Sequence, residues 1–154
     1  MQKLLALRTG RAVAMYVLLD IICAGFGMGV PFFCILFGLP VGWYITRRIT
    51  AQPYSIKHWF NRTLKWAALT SAFTVVIMLV VWMSSLLMLF DPTADLANYG
   101  ISLILYEPKA SFIGWMVLMI LISPFLQLLM TLLGSHLSMQ RIVSRNKERP
   151  EKAV

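Results

Sequence analysis

Acidic residues are scarce in this chain of 154 residues: six Asp and Glu stand against fourteen Lys and Arg, and three long tracts carry no charge of either sign. Those tracts run from Ile21 to Thr46, from Trp66 to Phe90 and from Ala110 to Gln140. About one residue in four is charged in an ordinary soluble domain, so such tracts exclude a water-facing surface over most of the chain. The acids are also badly placed for chemistry, since all but Asp20 lie in the 91–107 connection or at Glu148 and Glu151. Paired carboxylates for acid–base or glycosidic work are therefore missing. Only two cysteines occur, Cys23 and Cys34, with no CxxC pair, which excludes a disulfide framework or a cysteine metal centre. His58 and His136 have no acid near them in sequence and are expected to be interfacial anchors. Gly25, Gly27 and Gly29 superficially match a phosphate loop, but they follow an apolar helix and no strand, which rules against a dinucleotide fingerprint. No enzyme, cofactor or metal is expected.

What is present is apolar length, 59% of the residues being hydrophobic. Each uncharged tract exceeds the roughly 20 residues that cross about 30 Å of hydrocarbon as a helix. The fourteen basic residues flank these tracts, Lys109 alone falling in the 91–111 connection beside Asp91, Asp95 and Glu107. Because Lys and Arg stay on the cytoplasmic side of short loops, the expected topology has both termini cytoplasmic and loop 91–110 external, in the plasma (cell inner) membrane. The same placement accounts for the net charge of +8 without the basic patch of a nucleic-acid binder, so no nucleic-acid partner is expected. A cleaved signal peptide is a poor fit as well. The apolar run from Ala12 outlasts an h-region of about 7 to 15 residues and ends in Arg47 and Arg48.

The number of crossings turns on Ala12 to Ile45, which as one straight helix would be about 51 Å long. Its centre reads Gly25-Phe26-Gly27-Met28-Gly29-Val30-Pro31. Glycine favours the position just past a helix end and proline the first turn of the next, so the segment reads as a tight hairpin of two short helices. The expected fold is an all-α integral membrane protein, a compact bundle of four transmembrane helices at about 12–27, 31–46, 64–90 and 111–139. Three crossings are the alternative. Pro124 should kink the last helix. Ser55 can cap an interfacial helix at about 55–63, the Ile101–Tyr106 segment of the outer loop is ambiguous between helix and strand, and 145–154 reads as a charged flexible tail. Trp43, Tyr44 and Trp66 would mark one headgroup level and Tyr99, Tyr106 and Trp115 the other.

Helices in lipid associate by close backbone approach and interhelical hydrogen bonds. Small residues four apart supply the first: Gly25 and Gly29, Gly38 and Gly42, Ala67 and Ser71, Ala68 and Ala72, Thr70 and Thr74. Ser123, Gln127, Thr131 and Ser135 supply the second along one ridge of the last helix, with the Ala67–Thr74 half of the third helix as their expected partner. Asp20 is the only acid inside an apolar tract. At a helix centre a charge costs at least about 2.5–3.5 kcal/mol, so Asp20 must be protonated, paired or near water. Bonded to a neighbouring Ser, Thr or Gln it is structural; together with Ser123, Gln127, Thr131 and Ser135 it would form a proton or cation site. Cys23 and Cys34 lie equidistant from the hairpin turn and are expected as free thiols at one depth. Arg47, Arg48, Lys57, Arg62 and Lys65 are the candidate contacts for anionic lipid.

The expectation for function is a small multi-pass membrane protein of structural or accessory type, partnered by the bilayer and by a second copy or another membrane protein. The alternative is a small proton- or cation-coupled transporter or pore subunit built on Asp20.

Overall fold

No glycine or proline occurs between Ile56 and Val81, so nothing in the backbone chemistry interrupts a helix there. A computed structural model describes residues 9–26, 32–50, 56–99 and 103–151. In it 56–81 is one continuous helix. Among the described residues six α-helices occur: α1 (Thr9–Phe26), α2 (Phe32–Ile49), α3 (Ile56–Val81), α4 (Met83–Met88), α5 (Pro108–Val117) and α6 (Ser123–Glu151), with a π-turn at Leu118–Ile122 between the last two. No strand occurs among the described residues. Among the described residues, three stretches are long and apolar enough to cross a membrane: Phe32–Ile49, Lys57–Val81 and Pro108–Ser144.

Several boundaries differ from the sequence reading. The separate interfacial helix at about 55–63 is instead the opening turns of α3, because Lys57, Arg62 and Lys65 add charge without adding a breaker. Helix α2 runs three residues past 46 to Ile49, through Arg47 and Arg48, where cations suit the negative end of the helix dipole. Helix α6 continues through 145–151 in place of the expected unstructured tail; its 139–149 stretch contains neither Gly nor Pro. The centre of the expected hairpin turn, 27–31, lies outside the described residues.

The helix read as 64–90 is locally distorted at Trp82, although hydrogen bonds from Trp82 N–H to Met78 O and from Leu86 N–H to Trp82 O, both 2.9 Å, carry the ladder across. Pro124 acts through the π-turn just before it. Proline has no N–H and crowds the carbonyl four residues back; the Ser123 N–H reaches back five residues to Leu118 O, widening the turn ahead of the ring. Single π-turns are a recognised source of such kinks.

The inside of the bundle is more polar than its outside. Asp20, Thr46, Thr74, Ser123, Gln127, Thr131 and Ser135 are all buried, whereas Leu69, Val80, Leu121, Phe125 and Leu129 are exposed. Water-soluble proteins do not leave so many large apolar side chains outside. Lipid removes the penalty for those side chains and makes an internal partner worth having for each polar group.

Among the described residues, helices α2 and α6 make the most extensive pairing. A Cβ built on Gly38 would lie 2.5 Å from Gln127 O and 2.9 Å from Thr131 N; one on Gly42 would overlap Thr131 O, and one on Gly134 would overlap Leu39 O. Only hydrogen fits at these positions. Beside Gly42, the Thr46 and Ser135 hydroxyls hydrogen-bond to each other, and Thr46 also donates to Ser135 O at 3.2 Å. A second core is apolar: Cys34, Met78, Phe112, Met116 and Ile120 cluster together, with Cys23, Trp82 and Tyr99 packed against them.

The loop after α4 is held by its own acids. Asp91 accepts from Thr93 N–H at 2.9 Å and from the Thr93 hydroxyl at 2.6 Å, while Asp95 accepts from the Asn98 amide at 2.8 Å. These bonds favour the ionised carboxylates and hold both below the usual aspartate range.

Candidate functional site

Asp20 leaves α1 toward α3 and α6 and has no exposed surface. One carboxylate oxygen accepts from the Thr74 hydroxyl of α3 at 2.8 Å and from the Tyr16 hydroxyl of α1 at 3.3 Å; the other accepts from the Gln127 side-chain amide of α6 at 3.3 Å. Tyr16 stands one turn before Asp20 on the same helix face. Its hydroxyl lies 3.1 Å from Thr74 Oγ1 and 3.0 Å from Thr70 O. Three helices therefore meet at one carboxyl through neutral groups, the arrangement expected of a buried polar group that must find its partners inside the protein.

The Ser123 ridge divides. Gln127 turns to Asp20, whereas Thr131 and Ser135 lie against α2 beside Gly42 and Thr46. The expected partner for the lower ridge, the Ala67–Thr74 half of α3, is thus corrected to α2, where glycine lets the two backbones approach. Contact between α3 and α6 comes one step higher, with the Ser71 hydroxyl donating to Pro124 O at 2.7 Å. Among the described residues, Ser123 Oγ and Gln127 Oε1 are buried without a hydrogen-bond partner.

The small-residue pairs divide in the same way. Ala67, Ser71 and Thr74 are buried, but Ala68 and Ala72 face outward, so that pair forms no intramolecular seam. Gly29 lies outside the described residues. Cys23 packs against the cluster containing Cys34, and both are free thiols.

Of the five basic candidates, the structure brings Arg48 and Arg62 to one groove. It spreads the others along two helix ends. Arg47 sits over the Trp43 ring, 5.3 Å from its centroid, while Lys57 and Lys65 are exposed on α3. The groove, about 700 Å³, runs between α1, α2 and α3. Trp43, Tyr44 and Trp66 line it, whereas Tyr99 turns inward, its hydroxyl 2.8 Å from that of Ser85 and its ring edge-on to Phe112. Tyr106 is fully exposed.

Two participants were missed by sequence reading. Tyr16 was legible only as one residue of an apolar run, although its place four residues before Asp20 was the available signal. Gly134 was passed over, although Ser138 four positions on gives it the same small-residue spacing. Comparison of the chain with protein-family models, with curated proteins and with solved structures gave no match.

Proposed function

We propose that this chain is a small, non-enzymatic, multi-pass membrane protein of structural or accessory type, in which Asp20 ties α1 to α3 and α6. The single observation that carries this reading is the complete burial of Asp20 among Tyr16, Thr74 and Gln127. A carboxyl group so enclosed closes a polar network and offers no water-facing surface. It also draws α1 level with Thr74, inside the apolar Lys57–Val81 stretch, which supports four crossings and a return of the chain between α1 and α2. With the basic residues at the ends of α2, α3 and α6, both termini face the cytoplasm and the 91–110 loop lies outside. The partners are the lipid bilayer and a second copy or another membrane protein meeting the outward Ala68–Ala72 face.

The test is proton flux in vesicles reconstituted with wild type or with Asp20→Asn. Flux equal to that of protein-free vesicles in both cases supports the structural reading. Flux present in wild type and abolished by Asp20→Asn, with the fold retained, overturns it. The second reading, a small proton- or cation-coupled transporter, is favoured by one observation: the unpartnered Ser123 Oγ and Gln127 Oε1 stand on the same helix ridge that reaches Asp20. Flux abolished by both Asp20→Asn and Gln127→Leu would select that reading.

A further inference from the structure

The groove between α1, α2 and α3 has chemistry that Asp20 does not use. We propose that it is a binding site for one anionic phospholipid, with the phosphate at Arg48 and Arg62 and an acyl chain laid along the aromatic wall formed by Tyr16, Phe37 and Phe73. All five residues line the same groove. The two arginines stand toward one end, Arg48 in the last turn of α2 and Arg62 in the second turn of α3. From Arg62 to Phe73 the groove follows α3 for about 16 Å at a rise of 1.5 Å per residue. That is close to the hydrocarbon depth of one leaflet, half of about 30 Å.

The wall is built to keep its shape. Tyr16 and Phe37 stack with centroids 5.8 Å apart, and Tyr16 meets Phe73 edge-on at 6.0 Å. Because the Tyr16 hydroxyl is held at Thr70 O and Thr74, the ring cannot turn out of the wall without breaking the Asp20 network. Arg48 is likewise positioned, donating to the Tyr44 hydroxyl at 3.0 Å. Guanidinium groups match phosphate oxygens in geometry and in charge. An apolar floor closed at one end by two cations thus fits an amphiphile of negative head and extended tail. A second copy of the chain would need an acidic group at that end of its bundle, where the sequence places chiefly Lys and Arg.

The experiment uses the full chain in nanodiscs containing either phosphatidylglycerol or phosphatidylcholine, each with a photoactivatable diazirine on one acyl chain, followed by peptide mapping. Phosphatidylglycerol should label α1 and α3 at the groove in preference to the outward face of α6 at Phe125 and Leu129. Two basic residues near a membrane surface, each giving about fivefold, together give about a twenty-five-fold preference for the anionic lipid. The double substitution R48Q/R62Q should remove that preference, and R48K/R62K should keep most of it. Ala12→Trp, which narrows the groove and leaves the arginines in place, should reduce groove labelling by both lipids. Equal labelling by the two lipids in wild type, labelling spread evenly over every outward helix face, or a groove occupied by a second copy would each overturn the proposal.

Discussion

Replacing Gly42 by alanine adds a single methyl group, and the structure fixes what that group meets. The new Cβ would overlap Thr131 O and lie 2.8 Å from Ser135 N and 2.9 Å from Thr131 C. All three atoms belong to the α6 backbone, which cannot rotate aside as a side-chain end can. Helices α2 and α6 must therefore part, and a radial gap of about 0.5–1 Å already forfeits a quarter to a half of the dispersion attraction across it. Overpacking of this kind costs about 1–3 kcal/mol. The neighbouring Thr46–Ser135 hydrogen bonds would be lost as well, at about 0.6 kcal/mol for a typical interhelical polar contact. Against this, alanine is favoured over glycine in a helix by about 1 kcal/mol. The net expectation is a loss of about 0.6–2.6 kcal/mol. Gly114 of α5 supplies the internal control, since nothing lies within 4 Å of a Cβ built there; Gly114→Ala should be neutral or stabilising by up to about 1 kcal/mol. Unfolding in mixed dodecylmaltoside and sodium dodecyl sulfate measures both. Equal effects of the same sign at Gly42 and Gly114 would refute the close approach of α2 and α6.

Two further outcomes follow from particular side chains. Ala67→Leu should destabilise by about 1–3 kcal/mol because Ala67 has no exposed surface, whereas Ala72→Leu on the outward face of the same helix should stay within about 0.5 kcal/mol of wild type; the same unfolding titration separates them. Asp91 and Asp95 are both held below the usual aspartate range by hydrogen bonds from Thr93 and Asn98. A lowered carboxylate contributes order that is present above its unfolded value and lost as the pH falls through the folded one. Amide exchange at Thr93 and Asn98, corrected for the intrinsic pH dependence, should therefore show protection at neutral pH that disappears under acid below the ordinary aspartate range, and protection unchanged there would contradict the turn geometry.

The three membrane-length helices were legible because lipid permits no charge across about 20 residues and requires helix there. Their ends were less so: Lys57, Arg62 and Lys65 resemble the charged edge of an interfacial segment, yet without Gly or Pro the same residues simply extend α3. Asp20 and the Ser123 ridge were legible from polarity in an apolar setting. Their partners were not. Ala67 and Ala68 are identical in kind and adjacent in sequence, and only packing puts one inside and the other outside. Depth matching paired Thr131 and Ser135 with α3, but α2 passes the same depth, and its glycines give the nearer approach. Pro124 announced a kink without its form, since a π-turn at Leu118–Ile122 depends on how the chain relieves the clash. The groove required three helices to be placed at once, so no single stretch of sequence carried it.

In the proposed reading the Asp20 carboxyl fastens α1 to the rest of the bundle through Thr74. The most direct measurement is a double-mutant cycle of Asp20→Leu and Thr74→Val, read as reversible unfolding free energies in detergent. The 2.8 Å contact predicts a favourable coupling between about 0.6 and 1.7 kcal/mol, the mean and upper range for polar pairs between membrane helices. Single-mutant effects that simply add, leaving no coupling, would contradict it.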